Sequence, residues 1–343
     1  MEEVDKMSHR LRPCGAAAVL LLLLTLLSSC GQSAAQDETA TDYNQYIPSH
    51  GVTAYTKDLY IFFDSGRLFY VGRSQPSQLF PLCFQADCDH KNSSCTAWLN
   101  TPSRSIYAAG DNLYYIDADK DAKPALYRMD LSGGGRELVK SLNILNEESW
   151  PGISSLGYSF RVYGSYLAIE LNLLQEDSWQ HKIYLTGIDS KDEGVFLFGE
   201  EGDSDKSYIA IEFRENWLFV TEKNAADGTN TLWGYNFTTQ EAVPLVEGWD
   251  ISNCFTVQDG ILYWAVTGDG VYSMDMEKKS VTKHRSFDPV LEYGAAAYDD
   301  QYLYLTNAIR YMDSQGTVPA EERGVKVYDL QGNLQQFIPV PQE

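Results

Sequence analysis

The sequence predicts an all-β protein, a β-propeller of six four-stranded blades. One unit recurs along the chain, in which a short turn is followed by an aromatic-aliphatic pair that opens an alternating strand. Successive pairs lie 41 to 54 residues apart, which is close to the period of propeller blades. Outside residues 16–27, no long apolar stripe with helical periodicity interrupts the repeats.

The recurring pair begins the second strand of each unit. Its six instances are Leu59-Tyr60, Leu113-Tyr114, Tyr166-Leu167, Trp217-Leu218, Leu262-Tyr263 and Leu303-Tyr304. Each unit divides into four strands, A to D from the centre outwards, and the second unit reads SIYAAGD, LYYIDAD, ALYRMDL and RELVKSL. Six units predict six blades, whereas a ring of seven blades, an open solenoid and a pair of sandwiches are the alternatives.

Length and composition are consistent with this architecture. The 343 residues would suggest about two domains, but the repeats predict a single propeller domain over residues 51–343. Hydrophobic residues make up 44% of the chain and supply a core. The net charge of −22 would repel nucleic acid and anionic membrane surfaces. Nucleic acid is therefore excluded as a partner, and the folded body is not expected to lie on an anionic membrane.

Residues 1–29 have the features of a lipoprotein signal peptide. A short basic region precedes the apolar run at 16–27, which is too short to span a bilayer. The run ends in the residues LSSC, which resemble the lipobox of bacterial lipoproteins, so Cys30 is predicted to be lipidated. An ordinary signal peptide is the alternative. Acidic residues near the beginning leave Met1 and Met7 equally suitable as the start.

Residues 30–50 are polar and rich in small side chains, which predicts a flexible tether. Residues 1–29 contain three basic and three acidic residues, so the remaining chain keeps the net charge of −22. Because anionic lipid repels such a body, only the lipid on Cys30 would hold it to the membrane. The predicted location is the extracytoplasmic side of the cell membrane.

The repeat also carries a family resemblance. Segments such as LYRMDLSGG at 126–134 and VYDLQGN at 327–333 resemble the rhythm of six-bladed propellers of the TolB and low-density-lipoprotein-receptor YWTD type. Residues 50–343 are similar to uncharacterised lipoproteins of Gram-positive anaerobes, which have a Cys/His cluster after the first blade. The resemblance implies a fold and a location but no activity. A literal YWTD tetrad is absent from the sequence, so no receptor role is implied.

The Cys/His insert at 83–95 is the most specific chemical feature. Its spacing is Cys83-x4-Cys88-x-His90-x4-Cys95, a residue set that can build a Cys3His zinc site. The paired C-x2-C of ordinary zinc ribbons is missing, however, and disulfides persist in exported proteins. The sequence therefore favours one disulfide within the cluster, with a bound metal and free thiols as alternatives. Cys254 is expected to be buried and free.

Loop lengths separate the two faces of the predicted ring. The B–C and D–A connections emerge on one face and are longer than the A–B and C–D turns on the other. Binding residues are commonly found on loops that a rigid scaffold positions. Candidate ligand contacts on this face are Trp150, Trp179, Trp249 and Tyr311, and the alternative for each is packing between blades.

Two further patterns involve carboxylates. The spacing Asp117-x-Asp119-x-Asp121 resembles the start of a calcium loop, but an EF-hand is excluded because the required Gly and Glu are missing. A solvated hairpin tip is the favoured interpretation. A pair of carboxylates for glycoside hydrolysis could come from four acids, which are Glu176, Asp177, Glu321 and Glu322.

The sequence favours a binding module over an enzyme. It contains no G-x-S-x-G, no H-E-x-x-H and no sialidase box. The predicted function is a lipid-anchored extracytoplasmic propeller that presents its longer loops to a protein, peptide or glycan. The alternatives are a carbohydrate-active enzyme with paired carboxylates and a structural component of the cell envelope. No cofactor is required, and zinc and calcium are the only metal candidates.

Overall fold

The computed structural model describes residues 53–100, 105–176, 178–191, 193–199, 205–248, 254–266, 268–288, 292, 296–306 and 320–339. The predicted signal peptide, Cys30 and the predicted tether lie outside these residues. The described strands form six four-stranded antiparallel sheets, which are the blades of a propeller. This confirms the predicted fold class. Among the described residues, no helix is long and apolar enough to cross a membrane.

Each blade consists of four consecutive strands, so the order along the chain is also the order across the sheet. The first three blades are formed by β1 (Thr53–Tyr55), β2 (Leu59–Asp64), β3 (Arg67–Gly72), β4 (Gln75–Pro81); β5 (Ile106–Ala109), β6 (Asn112–Ala118), β7 (Pro124–Asp130), β8 (Glu137–Ser141); and β9 (Ile153–Tyr163), β10 (Tyr166–Gln175), β11 (Ser178–Gly187), β12 (Val195–Phe198).

The other three blades are formed by β13 (Lys206–Arg214), β14 (Trp217–Asn224), β15 (Asn230–Asn236), β16 (Glu241–Glu247); β17 (Phe255–Gln258), β18 (Ile261–Val266), β19 (Gly270–Asp275), β20 (Ser280–Ser286); and β21 (Ala296–Tyr298), β22 (Tyr302–Thr306), β23 (Gly324–Asp329), β24 (Leu334–Pro339). Short 3-10 helices lie between strands at Asn143–Leu145, Glu147–Ser149 and Ala320–Glu322.

The tight A–B turns predicted from the sequence are present. In blade five, for example, Gln258 pairs with Ile261 across a two-residue turn. Its central residues Asp259 and Gly260 have φ of +52° and +73°, the left-handed conformation of a type I′ turn. The B–C connection of blade three is a tight hairpin rather than a long loop, because β10 and β11 continue pairing up to Gln175 and Ser178.

A register shift interrupts the pairing of strands C and D in every blade. In five blades it falls within an aliphatic-aromatic pair of strand C. These pairs are Leu126-Tyr127, Ile183-Tyr184, Leu232-Trp233, Val271-Tyr272 and Val327-Tyr328. A bulge at such a position bends the strand and increases its twist. The repeated aromatic residues of strand C therefore mark the places where the outer strand turns away from the inner sheet.

The hydrophobic core lies between neighbouring blades. A buried cluster joins each successive pair, from blades one and two to blades five and six. Each cluster contains side chains from both blades, for example Ile61 and Tyr115, Leu126 and Phe160, Ile183 and Phe213, Phe219 and Trp264, and Val271 and Tyr328. Burial of apolar surface between blades therefore holds them face to face.

Candidate functional site

The B–C and D–A connections form what we call the loop-rich face, and the A–B and C–D turns form the smooth face. The longest connections leave from strand ends on the loop-rich face, where they join β4 to β5, β8 to β9 and β22 to β23. The predicted difference in length holds for the longest connections but not for every blade. The B–C connections of blades one and three contain two residues, whereas the C–D connections of blades two and three contain six and seven.

A cavity of about 510 Å³ opens on the loop-rich face between blades three and four. Trp179, near the tip of the β10–β11 hairpin, lines it and is 49% exposed. His181 follows on the same strand. The opposite wall comes from the first residues of β13 and from the β14–β15 turn, including Lys206, Lys223 and Asn230. The cavity therefore combines one exposed indole with side chains from two blades.

The cavity contains two basic groups although the chain has a net charge of −22. Lys206 forms an ion pair with Glu222 at 3.4 Å, and Lys223 lines the same wall. Burial lowers the pKa of His181, so its imidazole is neutral at neutral pH. An aromatic surface, ammonium groups and neutral hydrogen-bonding side chains together suit a polar ligand that contains a ring or an acidic group.

Sequence reasoning selected Trp179 but missed His181, Lys206 and Lys223. The three residues are far apart in the sequence and are brought together only because blades three and four are neighbours. Lys223 lies near the end of β14 before a B–C turn, Lys206 begins β13 after a D–A connection, and His181 is the fourth residue of β11. Proximity to the loop-rich ends of their strands is the sequence signal that the three residues share.

Trp150 contributes to packing between blades two and three. Its indole N–H donates a hydrogen bond to the Ile144 carbonyl oxygen at 2.8 Å. The ring also contacts Phe196 edge-on, with centroids 5.9 Å apart, and packs on the neighbouring core. Trp150 therefore matches the alternative to ligand contact, which is packing between blades. Trp249 and Tyr311 lie outside the described residues.

A second cavity, of about 610 Å³, lies between β8 and the outer strands of blade three. Several of its polar groups already bind the backbone. Lys140 Nζ donates to the carbonyl oxygens of Gly187 and Ser190 at 3.1 and 2.6 Å. The Tyr184 hydroxyl accepts a hydrogen bond from Gly194 N at 2.7 Å.

The structure brings all four residues of the predicted Cys/His cluster together. The three sulfur atoms and a ring nitrogen of His90 all lie within 4.8 Å of one another. His90 Nδ1 is 3.3 Å from Cys95 Sγ. Cys95 is buried, whereas Cys83, Cys88 and His90 are half-buried. No disulfide joins cysteines in the described part of the chain.

The thiols of this cluster differ in acidity. Burial raises the pKa of Cys83, but the polar groups around its sulfur outweigh burial and lower this pKa to about 6. Burial raises the pKa of Cys95 to about 12. Cys254 packs between blades five and six as a free, half-buried thiol. Burial likewise raises the pKa of Cys254 to about 12.

The three spaced aspartates do not share one site. The Asp117 side chain is fully buried, forms an ion pair with Arg136 and accepts a hydrogen bond from Asn100 N at 3.1 Å. Asp119 instead accepts the backbone N–H of Asp121 at 2.8 Å within the turn. Among the described residues, the Cys/His cluster is the only group of three or more metal-ligating side chains that converge. The interpretation as a solvated hairpin tip therefore fits the turn that contains Asp119 and Asp121 but does not fit Asp117.

The carboxylates proposed for glycoside hydrolysis are placed in different ways. Glu176 occupies the β10–β11 turn with φ of +49°. Glu321 and Glu322 belong to a short 3-10 helix, and Asp177 lies outside the described residues. Among the described residues that line the cavity beside Trp179, Asp205 is the only acid. That cavity therefore shows no carboxylate pair.

No protein-family model and no curated protein matches the sequence. Among solved structures, a prolyl endopeptidase is 10% identical over 95% of this chain and 47% of its own, with a TM-score of 0.50. The chain thus spans about half the length of that enzyme. An oligogalacturonate lyase in complex with manganese is 14% identical over 73% of this chain and 70% of its own, with a TM-score of 0.42. TolB from Acinetobacter baumannii is 14% identical over 83% and 63%, with a TM-score of 0.37. The likeness to the endopeptidase shows the fold alone.

Proposed function

We propose that this protein is a lipid-anchored extracytoplasmic binding module whose loop-rich face binds a polar ligand, either a glycan or a peptide segment of a protein. One observation carries the proposal. The cavity between blades three and four presents the exposed indole of Trp179 among ammonium and neutral polar groups. Aromatic side chains that are rigid and exposed on a scaffold are frequent binding hot spots.

The cavity favours binding over catalysis. Its described lining contains one carboxylate, Asp205, and one histidine, His181, whose pKa is lowered by burial. General acid-base hydrolysis of a glycoside commonly uses two carboxylates on opposite sides of the bond. Recognition requires only surface, hydrogen bonds and charge complementarity, all of which the cavity provides.

Alanine substitution of Trp179 is expected to weaken binding at least about tenfold, because the indole supplies the largest apolar contact in the cavity. The measurement is a titration with ligands selected from glycan and peptide arrays by the full chain. Tyr302→Ala is the matched control, since Tyr302 is an exposed aromatic at the smooth end of β22. Binding that survives Trp179→Ala, or that is lost in Tyr302→Ala, would contradict the proposed face.

The lipid anchor is supported by the LSSC sequence at Cys30 and by the polar tether that follows it. Cells fed a labelled fatty acid are expected to transfer the label to the protein. Replacement of Cys30 by serine should abolish the label, because serine lacks the thiol that carries the lipid. Replacement of Cys14, which lies before the apolar run, should leave it unchanged. Equal labelling of the Cys30→Ser variant would refute the anchor.

A further inference from the structure

We propose that Cys83, Cys88, His90 and Cys95 together bind one zinc ion, which fixes the segment 82–100 between blades one and two. Zinc is commonly held by four such ligands in tetrahedral geometry, with donor atoms separated by about 3.5–3.8 Å. The four donors of this cluster lie within 4.8 Å of one another. Small side-chain adjustments are therefore enough to complete the coordination.

The exposure pattern of the segment shows that it is organised around these donors. Between residues 84 and 94, every residue is exposed except Cys88 and His90. Phe84, the only large apolar side chain of this stretch, is 57% exposed. Apolar burial would place the phenylalanine inside and the polar imidazole outside. The observed arrangement is the reverse, as a metal centre requires.

The two ends of the segment are held against blade one by the backbone. Leu82 N donates to the Leu68 carbonyl oxygen at 2.9 Å, and Leu68 N donates to the Ala97 carbonyl oxygen at 2.8 Å. Leu99 N bonds to the Gly66 carbonyl oxygen at 3.0 Å. The stretch between these anchors contains no strand or helix. Long connections without secondary structure are uncommon in compact domains, and a metal would supply the missing cross-link.

Blade two also contacts the segment close to the cluster. Gly133, in the β7–β8 turn, lies so close that a Cβ atom there would be 2.5 Å from the Leu82 carbonyl oxygen and 2.8 Å from Cys83 N. Its φ of +86° also favours glycine. A zinc centre that holds Cys83 in place would therefore set the contact between the two blades.

Groups around the cluster match the charge of a zinc centre. Three thiolates and one neutral imidazole around Zn²⁺ carry a net charge of about −1. Arg67 supplies a nearby positive charge, and its Nη1 is 3.4 Å from the His90 carbonyl oxygen. Such outer contacts commonly orient and stabilise the ligands of a zinc site.

Zinc uses the whole cluster, whereas a disulfide uses only part of it. Three cysteines can form one disulfide and leave one thiol together with the histidine. The fourth described cysteine, Cys254, packs between blades five and six rather than beside the cluster. Because all four coordination positions would be filled by protein, the centre would be structural rather than catalytic.

The first test is the metal content of the full chain, purified without chelator or reductant. We expect about one zinc per chain, and cobalt substitution should give the absorption bands of a tetrahedral thiolate site. Cys88→Ser and His90→Ala should each weaken zinc binding at least about tenfold in a chelator competition. Cys254→Ser is the matched control and should keep full zinc content. A disulfide within the cluster, or free thiols that bind no cobalt, would overturn the proposal.

The second test addresses the structural role of the metal. Removal of zinc should increase tryptic cleavage after Lys91, which is exposed within the segment. Cleavage after Lys278, whose side chain is 74% exposed in a turn of the smooth face, should not change. If chelation removed zinc but left cleavage at Lys91 unchanged, the metal would not fix the segment.

Discussion

Replacement of Trp264 by alanine is expected to lower the free energy of unfolding by about 3–5 kcal/mol. Trp264 lies on β18, is 0% exposed and is the largest of the fully buried side chains. It stacks on Tyr272, with ring centroids 5.6 Å apart, in the cluster between blades four and five. Strand pairing on both sides limits how far the blades can collapse into the space that alanine would leave.

The measurement is equilibrium unfolding in urea, followed by far-ultraviolet circular dichroism. Trp179→Ala is the control for loss of an indole from the surface, because Trp179 is 49% exposed. Its effect on stability is expected to stay within about 0.5 kcal/mol. A loss below about 1 kcal/mol for Trp264→Ala would show that the packing between these blades is less important than the structure indicates.

The second large effect is expected for Asp117→Asn, which should cost about 3–5 kcal/mol because it leaves Arg136 beside an uncharged partner. The Asp117 carboxylate is 0% exposed and the Arg136 side chain 21% exposed. Arg136 also donates to the Trp98 carbonyl oxygen at 3.0 Å, which links the ion pair to the segment that follows the Cys/His cluster. Loss of the charge therefore affects both blade two and this segment.

Asp121→Asn is the matched control, because Asp121 lies on the exposed tip of the same hairpin. It should change stability by no more than about 0.5 kcal/mol. The two variants carry the same chemical change four residues apart and are compared by urea unfolding. Equal effects would contradict a buried ion pair at Asp117.

The sequence was sufficient to predict the blades because their strands alternate and repeat locally. The aromatic-aliphatic pairs fall at the beginning of each B strand, as in Trp217-Leu218 at the start of β14. The C–D bulges were not predictable, since a register shift depends on how two strands pair and not on either strand alone. The aliphatic-aromatic pair of strand C can be recognised as the position of the bulge only once the structure is known.

Candidate sites were predictable only where their residues are close in sequence. The Cys/His cluster spans 83–95, and its side chains converge as the spacing suggested. Asp117 was interpreted as part of a solvated turn because its partner Arg136 comes from the β7–β8 turn, 19 residues further along the chain. The cavity beside Trp179 depends likewise on contacts between blades three and four. Pairings of this kind arise from the ring and leave no local pattern.

Hydrogen-deuterium exchange of the full chain, with and without an array-selected ligand, tests the proposed binding face most directly. We expect the ligand to slow exchange at the β10–β11 hairpin tip and over 224–230, which border the cavity beside Trp179. Exchange in the smooth-face turns at 110–111, 164–165 and 259–260 should not change. Protection confined to those turns, with none around the cavity, would contradict the assignment of the loop-rich face as the binding surface.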